Sequence, residues 1–169
     1  MNFDHGKRVG TVLLAKMGLD DFEVGLLSIA RHFFASFAQP ETQAWHVAFR
    51  ISAERWGIGD GAKAACAMLD IADAMRRARP TEFTFSDPTC PTCREALTPN
   101  ERHLMSMIHA IRRGRIGDAQ TAAMLLTEGA RNTDLIRAGW VMAGLFPAEK
   151  ASADRPMTHF TAQTTLGID

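Results

Sequence analysis

Cys90 and Cys93 are the residues best suited to chemistry in this sequence. They stand two residues apart in the run Pro88-Thr-Cys-Pro-Thr-Cys-Arg-Glu-Ala-Leu-Thr-Pro-Asn-Glu101. Thiols at this spacing can grip one metal ion or close one small disulfide. A closed structural zinc site needs four ligands. The pair supplies two, and His103, the nearest histidine, together with Cys66 completes the expected set, with His109 and Asp87 as substitutes. His103 and His109 are six apart, so on a helix they point in different directions and do not share an ion. The spacing matches no complete zinc-finger pattern, yet zinc is the cofactor this constellation suggests. The alternative is thiol redox work. In thioredoxin-like proteins the pair follows a strand and opens a helix, which activates the first thiol. Here Pro91 follows Cys90 at once, the next helix starts at Thr98, and no βαβ pattern surrounds the pair.

The other reactive side chains carry weaker signals. Arg112, Arg113 and Arg115, with Arg102 one face away, read either as solvated helix-end charges or as a patch for phosphate or an acidic partner. The segments around Gly129 have a loose helix-turn-helix spacing. Their second helix offers Asn132 and Arg137 as donors for base edges, but Trp140 to Phe146 is apolar and belongs in a core. His32 reads as an ordinary half-exposed histidine, and His46 as part of a solvated polar helix face. There is no GxSxG, HExxH or P-loop, and the glycines at 57, 59 and 61 lack the spacing of a dinucleotide loop. Cys90 or Cys93 with His103 could pair as nucleophile and base only if the fold brought them together. Whether the chain is an enzyme stays open, with a non-enzymatic role favoured.

These side chains must be positioned by helices. Tyrosine is absent, methionine numbers 9, and β-branched residues are sparse before the tail, a mix that favours helix. The expected fold is all-α, with about six helices in two blocks joined by an irregular CxxC-containing connection. The 169 residues form one domain: a first block at 19–79, the connection at 80–97, a second block at 98–146 and an irregular tail at 147–169. In the first block, Phe22, Leu26, Ala30, Phe33 and Phe37 recur at helical spacing. Pro40 opens a second helix reaching Trp56, with Arg50 and Glu54 one turn apart on its polar side. Asp60 caps a third, ending near Arg79, whose inner face holds Ala62, Ala65, Cys66, Leu69 and Ala72, which makes Cys66 a packed residue unless it joins the site. Glu82 to Phe85 alternates and reads as extended, with Phe83 and Phe85 on one face. The clearest boundary is Thr98-Pro99-Asn100-Glu101, a capping box with proline at the first helical position. Further helices follow to Gly114, from Asp118 to Glu128, and from Asn132 or Thr133 to Pro147.

Formal charge balances to zero, which weakens a dedicated nucleic-acid role. An odd count of 3 cysteines is no secreted disulfide framework and fits a reducing cytoplasm. The apolar run after Lys7 and Arg8 is short and broken by Lys16, unlike a secretory leader, and no run approaches the ~20 residues of a membrane helix. The sequence therefore points to a non-enzymatic regulatory or protein-interaction module with structural zinc at the CxxC connection. The alternatives are a thiol-redox protein or sensor using Cys90 and Cys93, and a DNA-associated transcriptional regulator. A protein partner or self-association is expected; nucleic acid is not favoured, and a membrane is not expected.

Overall fold

The computed structural model describes residues 1–4 and 10–148. The expected irregular tail lies outside the described residues from position 149 onward, as do Lys7, Arg8 and Val9. Five helices dominate the described residues: α1 (Asp21–Ala38), α2 (Trp45–Ala78), α3 (Pro99–Arg112), α4 (Ile116–Leu126) and α5 (Thr133–Leu145). Four short strands accompany them. β1 (Asn2–Asp4) runs parallel to β3 (Thr84–Ser86), and β2 (Val12–Leu13) runs antiparallel to β4 (Ala96–Leu97). No described helix is long and apolar enough to cross a membrane.

The count is five rather than about six because the helices expected at 40–56 and 60–79 join into α2. Pro40 opens only a 3-10 turn, Pro40–Thr42. The break lies at Gly57, whose φ of 78° and ψ of 167° interrupt the helical run, a conformation glycine adopts without steric cost. The chain bends so sharply there that a Cβ on Gly61 would lie 2.4 Å from the carbonyl oxygen of Ser52. The 45–56 and 58–78 arms cross at that contact, which only a glycine allows.

One hydrophobic cluster draws on every helix. Leu26, Ile29, Phe33 and Phe34 of α1 meet Ala64, Met68, Ile71 and Met75 of α2, and Leu104, Ile108 and Ile111 of α3 continue it to Leu126 and Leu135. The buried face of the 58–78 arm is turned by about one residue from the expected one. Ala65 and Ala72 are inside, but Ala62 and Cys66 are exposed. Cys66 is thus a solvent-facing free thiol, not a packed core residue. Phe83 and Phe85 flank and enter β3, both buried, and Phe34 holds them at ring separations of 4.7 and 5.6 Å. This aromatic contact fixes the connection that carries the cysteines onto α1.

Beneath it lie two buried ion pairs. α3 begins with the capping box: Glu101 N–H donates to Thr98 Oγ1 at 3.1 Å and Thr98 N–H donates to Glu101 Oε2 at 2.8 Å. The same Glu101, 0% exposed, accepts from Arg31 Nε at 2.6 Å and Nη2 at 3.1 Å. α1 begins with a second capping box, Asp20 with Glu23. Its Glu23, also 0% exposed, accepts from Arg112 and Arg113 and lies 2.9 Å from His109 Nδ1. The α1 acid reaches the end of α3 and the α3 acid reaches the middle of α1, so the two helices run antiparallel and each holds the other's first turn.

Losing one member of a buried pair strands the other charge, at a cost of about 3–5 kcal/mol. Glu101→Ala should therefore reduce the urea unfolding free energy by about 3–5 kcal/mol. A loss under about 1 kcal/mol, the range of exposed pairs, would show that Arg31 finds equivalent partners without Glu101.

Candidate functional site

The CxxC segment is built from turns that its own side chains close. Asp87 Oδ1 accepts the N–H of Thr89 at 2.8 Å and its hydroxyl at 2.7 Å, a local turn typical of aspartate. Cys90 N–H then reaches the Asp87 carbonyl at 3.3 Å, and Arg94 N–H reaches the Cys90 carbonyl at 3.2 Å. A 3-10 turn over Cys93–Glu95 follows. Pro88 and Pro91 lack N–H groups and keep this stretch out of a regular helix. The result folds Cys93 back toward Cys90. Their Cα atoms are 5.2 Å apart, the sulfurs are at bonding distance, and Cys93 N–H points at Cys90 Sγ at 3.3 Å. Thr92 Oγ1 lies 3.4 Å from the same sulfur.

The expected zinc site is overturned by this arrangement. The two sulfurs face each other rather than a shared ion, and among the described residues no group of three or more His, Cys, Asp or Glu side chains is placed to hold a metal. The four predicted ligands do not converge. Cys66 faces solvent from α2. His103, on α3, lies in the field of Arg102 and of Arg79 at the end of α2; burial first and those two cations next hold its pKa below the usual 6.5. A cationic surrounding of that kind repels a dication. Of the substitutes, His109 is committed to Glu23 and Asp87 to the Thr89 turn.

The base of the CxxC segment is the Arg31–Glu101 pair. Arg31 Nη1 donates to the Arg94 carbonyl at 2.9 Å and Nη2 to the Ala96 carbonyl at 2.6 Å. Ser86, where the segment leaves β3, gives its N–H to Glu101 at 3.2 Å and its hydroxyl to the Ala96 carbonyl at 3.1 Å. Both ends of the segment are thereby pinned to one buried charge pair. No buried side-chain nitrogen or oxygen among the described residues lacks a partner.

His32, one residue beyond Arg31, stands between two openings beside the segment. One, of about 230 Å³, also takes in Phe3, Gln39 and Asp87. The other, of about 390 Å³, is lined by Arg31, Arg55, Arg94 and Glu95 over Val24, Leu27 and Ile51. Burial, then the nearby Arg50, lowers the His32 pKa, while Asp87 opposes. His32 is therefore predominantly neutral near pH 7.

The basic row read from the sequence is divided. Arg112 is buried, stacked over Phe22 at 4.7 Å and bonded to Asp20, Glu23 and the Phe146 carbonyl. Arg113 pairs with the same two acids, and Arg115 pairs locally with Asp118. The charges at 112 and 113 are thus both paired with acids at the start of α1. Sequence reasoning missed Arg31 and Arg112 as buried cations. The signal was their register: Arg31 falls between Leu27 and Phe34, and Arg112 follows Met105 and Ile108, all on buried faces. A cation on such a stripe requires an acid opposite it.

These groups make acid stability directional. Burial raises the carboxyl pKa of both Asp20 and Glu23, but hydrogen bonds from Glu23 N–H and Arg112 to Asp20, and from His109 and Arg113 to Glu23, outweigh it and leave both below their ordinary 3.8 and 4.5. Lowered carboxylates and lowered histidines have the same sign: the unfolded chain binds more protons, so stability falls as pH falls. The melting temperature should decline below pH 6.5 as His32 and His103 charge in the unfolded chain, and decline further below 4.5. Glu23→Gln should melt lower at pH 7 and show a shallower acid limb. A melting temperature that rises from pH 7 to pH 5 would contradict this assignment.

Comparison with protein-family models, with curated proteins and with solved structures finds no match to the chain, so its function rests on this site alone.

Proposed function

We propose that the chain is a thiol–disulfide responsive regulatory module, with Cys90 and Cys93 as its redox pair. The observation that carries this reading is the link from the pair to the core. The sulfurs are at bonding distance, and the next residue, Arg94, gives its carbonyl to the buried Arg31. Opening the pair frees the turn that the core guanidinium holds. Oxidation state is thereby read out as the set of the 87–97 segment on α1.

The exchange balances with a small disulfide, RSSR, as oxidant. The Cys90 thiolate attacks one sulfur of RSSR, forming a mixed disulfide and releasing RS⁻. The Cys93 thiolate then attacks Cys90 Sγ, forming the intramolecular disulfide and releasing the second RS⁻. The two protons of the protein thiols end on two RSH, and two electrons pass from protein to RSSR. Cys90 suits the first role because Cys93 N–H and Thr92 Oγ1 surround its sulfur and can hydrogen-bond a thiolate. A reducing cytoplasm fits this use, since it holds the pair open until an oxidant arrives.

Closing a ring of four residues removes conformational freedom from the unfolded chain worth about 2 kcal/mol. The oxidised protein should be more stable than the reduced protein by about that amount in urea unfolding, and Cys93→Ser should abolish the difference. Titration against glutathione buffers should show a two-electron transition within the buffered range. A pair that stays open at every glutathione ratio would end the redox reading.

Association with a second copy belongs to the same proposal. It is supported by apolar side chains that α4 and α5 leave in solvent, among them Met124 at 59% and Val141 at 55% exposure. Sedimentation should detect a concentration-dependent dimer that Val141→Glu weakens. A monomer at all concentrations would remove this part and leave the redox part standing.

A further inference from the structure

We infer that the 390 Å³ cleft beside the cysteine turn binds a carboxylate-bearing low-molecular-weight disulfide and delivers its S–S bond to Cys90 and Cys93. This rests on the redox reading and names its substrate class.

The cleft has the volume of a small-ligand site, which commonly runs from about 300 to about 1,000 Å³. One of its walls is the redox segment itself, through Pro88 and Arg94. Pro88 stands two residues before Cys90, and Arg94 directly follows Cys93, so the cleft wall and the reacting sulfurs belong to one short turn. The floor is aliphatic, from Val24, Leu27 and Ile51, and suits a thioalkyl chain.

The charge of the cleft is uneven in a specific way. Arg31 lines it but is neutralised by Glu101. His32, its pKa lowered by burial, adds little charge near pH 7. Arg55 and Arg94 remain, and among the described residues neither has a carboxylate partner. Arg55 gives Nη2 to the Asp21 carbonyl at 3.2 Å, which orients it without cancelling its charge. Its seat against α1 depends on Gly25, where a Cβ would come 2.8 Å from Arg55 Nε and 2.5 Å from the Trp56 ring. Against these two cations the lining offers one acid, the exposed Glu95. Guanidinium forks match carboxylates in geometry and charge. Two such forks over an aliphatic floor select an anionic disulfide over a neutral or cationic one. The chemistry is the exchange written above, with the bound disulfide as RSSR.

The test uses the reduced full-length chain carrying Cys66→Ser, so that the exposed third thiol does not report. Its oxidation is timed with dianionic 3,3′-dithiodipropionate, neutral 2-hydroxyethyl disulfide and dicationic cystamine. Each rate is divided by that of the same disulfide with 2-mercaptoethanol. The anionic reagent should lead the neutral one by about tenfold, the lower end of electrostatic enhancement, and cystamine should trail both. The lead should shrink as ionic strength rises from about 0.01 to about 1 M, where the screening length falls from about 30 to about 3 Å. In Arg55→Gln/Arg94→Gln the anionic-to-neutral ratio should fall toward one. A ratio near one before substitution, or one that the double substitution leaves unchanged, overturns the cleft assignment while oxidation by the neutral reagent keeps the redox reading. Failure of all three reagents to oxidise the pair overturns both.

Discussion

The buried contact between Arg31 and Glu101 is the constraint on which the rest of the arrangement depends. A guanidinium 3% exposed and a carboxylate 0% exposed persist in a core only when each polar atom is satisfied. Here the remaining donors of Arg31 go to the Arg94 and Ala96 carbonyls, and the remaining acceptors of Glu101 go to Thr98 and Ser86. Satisfying the pair therefore dictates the path of the chain on both sides of the cysteines. The CxxC turn is not a loop resting on a helical bundle. It is the part of the main chain that the core charge needs in order to be buried.

The same device recurs at the other end of α1. Glu23 closes a capping box and also receives Arg112 and Arg113. In both cases the acid at the third helical position does two jobs: it caps its own helix and it receives a cation from the neighbour. Capping boxes usually lie at the surface, where they contribute about 1 kcal/mol. Burying them against arginine converts a local signal into a long-range one, and it sets α1 against α3 in one relative orientation.

The sequence was legible where local chemistry acts alone. The Thr98 box, the apolar stripe of α1, the Arg50–Glu54 pair at 3.9 Å and the extended run that puts Phe83 and Phe85 on one face follow from spacing. The join of two expected helices at Gly57 did not, because it depends on the arms crossing at Ser52 and Gly61. Cys66 was misplaced by a small rotation of an alanine-rich helix, whose side chains differ too little in size to mark an inner face. The zinc expectation failed for a related reason. Ligand types can be counted in a sequence, but convergence of four side chains is a property of the packed fold, and here His103 and Cys66 are carried to other surroundings. The arginines at 31 and 112 were the most informative residues overlooked, since a cation on a buried stripe announces a partner far along the chain.

The two capping boxes also bear on the order in which the molecule assembles. Each box joins residues three apart and can form within a single nascent turn. The pairs they later accept join residues 70 and 89 apart, and closing such spans costs chain entropy before any contact repays it. The box itself closes no long span, so once its helix forms the acid is oriented locally at little cost in chain entropy. The long-range pair then spends its closure cost on an acid whose direction is already set by its own turn, and the segment bearing the cysteines is held by the same pair.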